Sequence, residues 1–190
     1  MELTDREWRL VPEETRSGPM QMALEEVAAE TVAAGGPATV RVFRWEPSTL
    51  SLGYGQEPDT VDWEYCERQG IDVTRRQTGG GGIYHDHAGD VSYSIIAPAE
   101  ALPGGLEAAY DRLCEPVLAG LDRLGVGADF LDEPAPAVHR PACYLRALDP
   151  APDIGVDGKK VSGNAQYRQR EAVIQHGSVT HERAVEPHLG

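Results

Sequence analysis

Four consecutive glycines, Gly79–Gly82, stand directly behind a strand-like segment, Ile71–Arg75, and no helix pattern opens after them. That combination narrows the fold sharply. The two common nucleotide-binding α/β architectures built on glycine-rich turns both send the chain from the glycines into a helix, and one of them also needs a Gly-Lys-Ser/Thr sequence. Here the glycines lead into Ile83-Tyr84-His85 and then the alternating segment Val91–Ala97. The run is therefore expected on a loop between strands.

The rest of the chain agrees with a strand-rich plan. Residues 17–35 read as a helix, with Ser17 as N-cap, Pro19 in the first turn, and Met20, Met22, Ala23, Leu24, Val27 and Ala28 as its apolar positions. Gly35-Gly36 should end it. Strands are expected at Ala38–Trp45, Thr49–Gly53, Ile71–Arg75, Val91–Ala97 and Ala172–Thr180, and a short helix at 60–69 before Gly70. A second long helix, Leu106–Leu124, contains Pro116, which should kink or split it. Residues 132–152 are rich in proline and alanine and read as an irregular loop around a short strand, Ala142–Arg146. Ile154–Asp157 and Lys160–Ala165, joined at Asp157-Gly158, have the form of a hairpin. The expected fold is one α+β domain over residues 1–190, a mixed and mostly antiparallel sheet with helices packed on it.

Charge excludes some functions. With 17 basic and 31 acidic residues the net charge is −14, which would repel nucleic acid and anionic membranes. No apolar run approaches the roughly 20 residues of a membrane span, and the charged start MELTDREWRL lacks a signal-peptide core, so a cytoplasmic protein is expected. Cys66, Cys114 and Cys143 show no CxxC spacing, which argues against a disulfide framework or a zinc site. Fifteen of the 17 basic residues are arginine, and the two lysines, Lys159 and Lys160, are adjacent. An acidic, lysine-poor chain fits work in concentrated salt, where self-repulsion is screened, or an arginine-biased codon usage.

Four segments carry chemistry. Arg75-Arg76-Gln77-Thr78 followed by the glycines places cations and a hydroxyl beside flexible N–H donors, which suits an anion cradle as well as an ordinary hairpin loop. Asp153–Gln166 lifts both lysines into a strand whose alternation should point them to opposite faces. In a chain otherwise without lysine, one of the pair is read as functional, stabilising phosphate or a developing oxyanion. Gln175-His176-Gly177-Ser178 interrupts an apolar strand. Cys143 is either a small buried residue or, where nearby cations lower its pKa, a nucleophile. His85-Asp86-His87 puts two histidines on one strand face without an obvious third ligand, so no metal site is expected.

Together these segments resemble the lipoate-protein ligase A and octanoyltransferase family of the biotin/lipoate attachment superfamily. Arg75–Asp86 matches the pattern Arg-Arg-x-Ser/Thr-Gly-Gly-Gly-x-hydrophobic-aromatic-His-Asp. Asp153–Ala165 matches Asp-hydrophobic-x-Val-x-Gly-Lys/Arg-Lys-hydrophobic-Ser/Ala-Gly-Ser/Asn-Ala, and His176-Gly177 follows at the family's distance. Weaker matches are Arg44-Trp45-x-Pro47 and Gly53-Tyr54-Gly55-Gln56. The resemblance implies an α+β catalytic domain with one pocket for an acyl chain and an adenylate. Arg76, Thr78, Gly80, Gly81, Gly82, Ile83, His85, Asp153, Ala165 and His176 would line it, and Lys160 would be the catalytic charge stabiliser. Of the chemistries implied, an ATP- and Mg²⁺-dependent lipoate (or octanoate) ligase, with no tightly bound cofactor, is placed first. A transferase using Cys143 to carry octanoate from a carrier-protein thioester is the alternative, and a non-catalytic lipoyl-binding subunit the third. The implied partner is a lipoyl carrier domain, from a dehydrogenase acyltransferase subunit or the glycine-cleavage carrier, and the resemblance leaves room for an accessory domain on a separate chain.

Overall fold

A computed structural model of the chain describes residues 3–131, 153–169 and 171–181. Among these residues ten strands and three α-helices form one mixed domain with two sheets. The strands are β1 (Trp8–Arg16), β2 (Ala38–Trp45), β3 (Thr49–Leu52), β4 (Asp72–Arg75), β5 (Ile83–His85), β6 (Asp90–Pro98), β7 (Asp129–Phe130), β8 (Ile154–Val156), β9 (Lys159–Arg168) and β10 (Ala172–Thr180). The helices are α1 (Gly18–Ala33), α2 (Trp63–Gln69) and α3 (Leu106–Arg123). The large sheet has the order β1-β2-β6-β10-β9-β8-β7, the small one β4-β3-β5. Only the pairs β1/β2 and β3/β4 are parallel among them.

Alternation divides the large sheet into two faces. Tyr93, Ile95 and Ala97 of β6 and Val173 of β10 meet Ala109 and Leu113 of α3. On the opposite face, Ile96 and Ile174 meet Ala28, Ala29 and Val32 of α1. The small sheet buries Leu52 against Val61 and Cys66, the latter on α2. Helix α1 contacts β2, β6 and β10 as well as β3 and β4, so it is the wedge between the two sheets. Its start fits closely there: a Cβ on Gly18 would lie 2.5 Å from Thr49 Cγ2. No helix among the described residues is long and apolar enough to cross a membrane.

Sequence expectation and structure part company at three places. The second sheet and the edge strand β1 were not expected; β1 is nearly all exposed, so it lacks the alternation that marks a half-buried strand. Helix α3 runs unbroken through Pro116. Helix α1 buries only Ala28 of the expected apolar positions: Met20, Ala23 and Val27 are exposed and Met22 and Leu24 half-buried, whereas Gln21 and Glu25 are buried with Ala28, Ala29 and Val32. The reason is the sheet face it covers, which presents Arg41, Ser94 and His176 and so selects polar partners. The expected loop at 132–152, its strand Ala142–Arg146 and Cys143 lie outside the described residues.

Candidate acyl and anion site

Strand register builds the floor of a cavity. Phe43 pairs with Ser92, Ser92 with Ser178, and Ser178 with Gly163. One step along, Arg41 pairs with Ser94, Ser94 with His176, and His176 with Ala165. Paired residues face the same way, so both rows point toward α1 and the small sheet. Small residues in the middle of these rows open a trough between the larger Phe43 at one end and β9 at the other. The resulting cavity is about 380 Å³, including its open mouth, and is lined by Met22, Phe43, Trp45, Ile83 and Ala165 as apolar walls. Arg76, His85 and His176 also border it. Trp45 closes against Phe43 edge-on at 5.3 Å and stacks on His85 at 4.2 Å. His85 is fixed on both sides, Nδ1 lying 2.8 Å from Asp90 Oδ2 and Nε2 2.9 Å from Ser51 Oγ.

The lysine hairpin supplies the charge. Asp157 and Gly158 both have positive φ, 50° and 72°, the geometry of a tight hairpin turn. A bulge follows, because Gly155 pairs with Lys160 while the next residue back, Ile154, pairs with Ser162. Val161 packs on the α3 side and Ser162 donates to Asn164 Oδ1, which pairs opposite Gly177. The bulge therefore sets Lys160 on the cavity side. Lys159 is exposed, as alternation requires, and Lys160 is largely covered, with Nζ 2.9 Å from Asp153 Oδ2. A Cβ on Gly163 would sit 3.1 Å from Lys160 Nζ, so the missing side chain gives the ammonium its path beside the cavity wall.

The glycine loop is held from within. Arg76 is buried, and its Nε donates to Thr78 Oγ1 at 3.0 Å, Nη1 to Ser51 O at 2.9 Å and Oγ at 3.3 Å, and Nη2 to Gly79 O at 2.7 Å and Gly81 O at 2.8 Å. All five guanidinium donors thus have acceptors in the protein. Arg75 holds the facing loop in the same way, through Gly53 O, Tyr54 O and Gln56 O at 2.7–2.9 Å. The loops touch where only glycine fits: a Cβ on Gly53 would lie 1.9 Å from Gly80 O. Gly80 itself has φ 94°.

Behind His176 lies a buried carboxylate that sequence reading did not single out. Glu25 sits 3.0–3.1 Å from His176 Nδ1 and accepts from Ser94 Oγ, while His176 Nε2 lies 2.7 Å from Thr78 Oγ1. Burial acts to raise the Glu25 pKa, but the charge and hydrogen bond of His176, the Ser94 hydroxyl and the Arg41 charge together hold it below the usual carboxylate range. The signal available in sequence was Gln21 and Glu25 at helical spacing, on the face that Ala28, Ala29 and Val32 share. Of the residues expected from sequence, Arg76, Ile83, His85, Ala165 and His176 border the cavity. Thr78 stands behind it on His176, Gly80–Gly82 form the loop that Arg76 braces, and Asp153 with Lys160 stands beside Gly163. His85 and His87 do not converge, since His87 turns to Ser48, and no three metal-ligating side chains cluster among the described residues. Cys66 and Cys114 are buried; burial first, then the charge of Asp111, pushes the Cys114 thiol up to about 12.

The two-sheet α/β domain, with an apolar cavity beside a braced glycine loop and a lysine hairpin, agrees with the catalytic-domain fold expected from sequence. The profile of the lipoyl protein ligase A/B catalytic domain matches residues 17–187, and the chain belongs to that family. It is 32% identical over 182 residues to an octanoyltransferase LipM of Brevibacillus brevis, covering 91% of this chain and 65% of the relative. It is 36% identical over 187 residues to an octanoyltransferase LipM of an Exiguobacterium species, covering 93% and 67%. The chain thus spans about two thirds of the length of these relatives. Among solved structures it is similar to a lipoate-protein ligase A bound with ATP, with a TM-score of 0.73 at 25% identity over 92% of this chain and 66% of that one. The fold is also that of a bipartite lipoate protein ligase of Thermoplasma acidophilum, solved in a study with its E2 lipoyl domain, with a TM-score of 0.67 at 24% identity over 92% of this chain and 62% of that one.

Proposed function

We propose that this chain transfers an octanoyl group from a carrier-protein thioester to a lysine of a lipoyl carrier domain, by way of a thioester on Cys143. The observation that carries the acyl half is the cavity: apolar walls from Met22, Phe43, Trp45, Ile83 and Ala165, with the Lys160 ammonium beside its Gly163 wall. At ~0.8 kcal/mol per buried methylene, an octanoyl tail held against these walls contributes roughly 5 kcal/mol. In the first step the Cys143 thiolate attacks the thioester carbonyl and the carrier leaves as a thiol. In the second, the target lysine amine attacks the acyl-Cys143 carbonyl, the amide forms and Cys143 regains its proton. Lys160 stabilises the oxyanion in both, as a compact charge suited to that task.

Transfer is placed ahead of the ligase reading because relatives at 32–36% identity over nine tenths of the chain carry the octanoyltransferase name. The ATP-bound ligase likeness favours the second reading, in which lipoate and ATP give lipoyl-adenylate and pyrophosphate before the lysine attacks. A magnesium ion would then come in on the nucleotide's phosphates, with Asp153 as the carboxylate beside Lys160. Mass spectrometry of a lipoyl domain incubated with the protein separates the two. Octanoylation from the thioester without ATP, with a hydroxylamine-sensitive adduct on Cys143 that Cys143→Ala abolishes, is expected. Lipoylation only with ATP, with pyrophosphate released and Cys143→Ser fully active, would replace the transferase by the ligase.

A further inference from the structure

We propose that Glu25 is a positioning residue, whose carboxylate sets, through His176, Thr78 and Arg76, the direction in which the peptide groups of the glycine loop face. The activity arm of this inference rests on the acyl-transfer reading above; its structural arm does not.

The four side chains form an unbroken buried chain: Glu25 is 2% exposed, His176 8%, Thr78 1% and Arg76 3%. A carboxylate only accepts hydrogen bonds, so with Glu25 oxygens at 3.0 and 3.1 Å, His176 Nδ1 carries a proton. That fixes the ring and aims Nε2 at Thr78 Oγ1, 2.7 Å away. The same hydroxyl oxygen accepts from Arg76 Nε at 3.0 Å, which fixes the plane of the guanidinium. Its far edge then holds Gly79 O at 2.7 Å and Gly81 O at 2.8 Å. In a trans peptide C=O and N–H point opposite ways, so drawing these two carbonyls inward turns the N–H groups of Gly80 and Gly82 to the other side. A run of glycines has no side chains with which to choose that orientation itself, and its backbone has more freedom than any other. Glu25 does not border the cavity, so its influence on a bound acyl group has to pass along this chain. A lone carboxylate buried at this place would be unfavourable, and an apolar residue would leave the Ser94 hydroxyl and His176 Nδ1–H without their acceptor. The position makes sense as the anchor of the network.

Three variants test it. Thr78→Val cuts the chain in its middle without touching Glu25, Glu25→Gln keeps the volume and one acceptor, and Glu25→Ala removes the anchor. Thr78→Val and Glu25→Ala should each lower kcat on the order of 10²-fold, the usual effect of a misplacement near 1 Å, with KM for the acyl donor little changed. Glu25→Gln should recover part of that loss. The Thr78→Val/Glu25→Ala double variant should be no slower than the slower single, because both break one chain. Independently of activity, the amide resonances of Gly80 and Gly82 should move in Thr78→Val and in Glu25→Gln relative to the unaltered protein. Unmoved glycine amides, losses confined to KM, or multiplying losses in the double variant would overturn the inference. Should Glu25→Ala fail to fold, Thr78→Val and Glu25→Gln carry the test. Should the unaltered protein transfer no acyl group from any donor, the functional reading fails and the amide shifts still decide the role of Glu25.

Discussion

Replacing Gly53 by alanine should damage the site more than the fold. Its added Cβ would lie 1.9 Å from Gly80 O, 2.9 Å from Gly80 C and 3.3 Å from Arg76 Nη2. Two of those neighbours are backbone, so no side-chain rotation relieves the contact, and the glycine loop or the end of β3 has to shift by about 1 Å. Overpacking of this kind costs roughly 1–3 kcal/mol, which in a domain of this size lowers Tm by about 2–4 °C per kcal/mol. The loss of function should be larger, because the displaced loop is the one that Arg76 braces beside the cavity, and a misplacement of about 1 Å is worth on the order of 10² in rate. Gly55→Ala is the matched control: two residues away, its Cβ meets nothing within 4 Å. Thermal melts and acyl-transfer kinetics on both variants read the two effects separately. A Gly53→Ala protein with unchanged Tm and turnover, or a Gly55→Ala protein equally impaired, would refute the close-approach reasoning.

Lys160→Ala should lower turnover on the order of 10²–10³-fold and also lower Tm, because it leaves the covered Asp153 carboxylate without its cation, whereas Lys159→Ala, on the exposed side, should be nearly silent in both. Glu25 links stability to pH: its folded pKa lies below its unfolded one, so its contribution is present above the unfolded carboxylate pKa and is lost as pH falls through the folded value. Acid titration by circular dichroism should therefore show a step that Glu25→Gln lacks. Cys114, raised to about 12 and buried, should resist iodoacetamide at neutral pH in the folded protein and react in urea, as peptide mapping will show. At a net charge of −14, added salt should raise Tm over the low range as screening shortens toward about 8 Å at 0.15 M; greatest stability in salt-free buffer would contradict this.

Sequence revealed those parts of the site whose chemistry is local. The lysine hairpin announces itself through Asp157-Gly158 and an adjacent lysine pair, and β2, by its alternation, and β10, by its apolar run, begin and end where they are expected. The motif around Arg76 was legible too, but its use was not. Read from sequence it is a cation for a ligand, whereas its donors all reach protein acceptors, and that depends on β3 supplying Ser51 from a distant part of the chain. The bulge that turns Lys160 to the cavity side is a matter of pairing register between β8 and β9, which no single strand records. Helix α1 misled because hydrophobic patterning assumes an apolar partner, and this sheet face offers Arg41, Ser94 and His176 instead. Strands β3 and β4 fall where they are expected, but their separation with the three-residue β5 into a second sheet is a matter of pairing between segments, which no one segment's pattern records.

The distribution of cations bears on how such a site can be both rigid and reactive. Arginine presents five donors in a fixed fork, so it organises several carbonyls at once but has nothing left to follow a changing substrate. Arg75 and Arg76 do this work on facing loops, at Gly53–Gln56 and at Gly79 and Gly81. Lysine is a point charge on a flexible stem, able to exchange one oxygen partner for another as charge develops. Lys160 waits on Asp153 with its stem laid along Gly163, where no side chain blocks its movement toward the cavity. Exchanging the two types should then fail in different ways. Arg76→Lys has too few and wrongly placed donors to hold Ser51 O, Gly79 O and Gly81 O together, so the loop should lose its geometry while the local charge is kept. Lys160→Arg keeps the charge and the Asp153 pair, but its planar head is bulkier where Gly163 leaves room for a single ammonium. Both variants should therefore lose activity at constant net charge, Arg76→Lys with altered glycine amide resonances and Lys160→Arg without them. Full activity in either would mean that charge alone, and not the geometry of its donors, is what the site requires at that position.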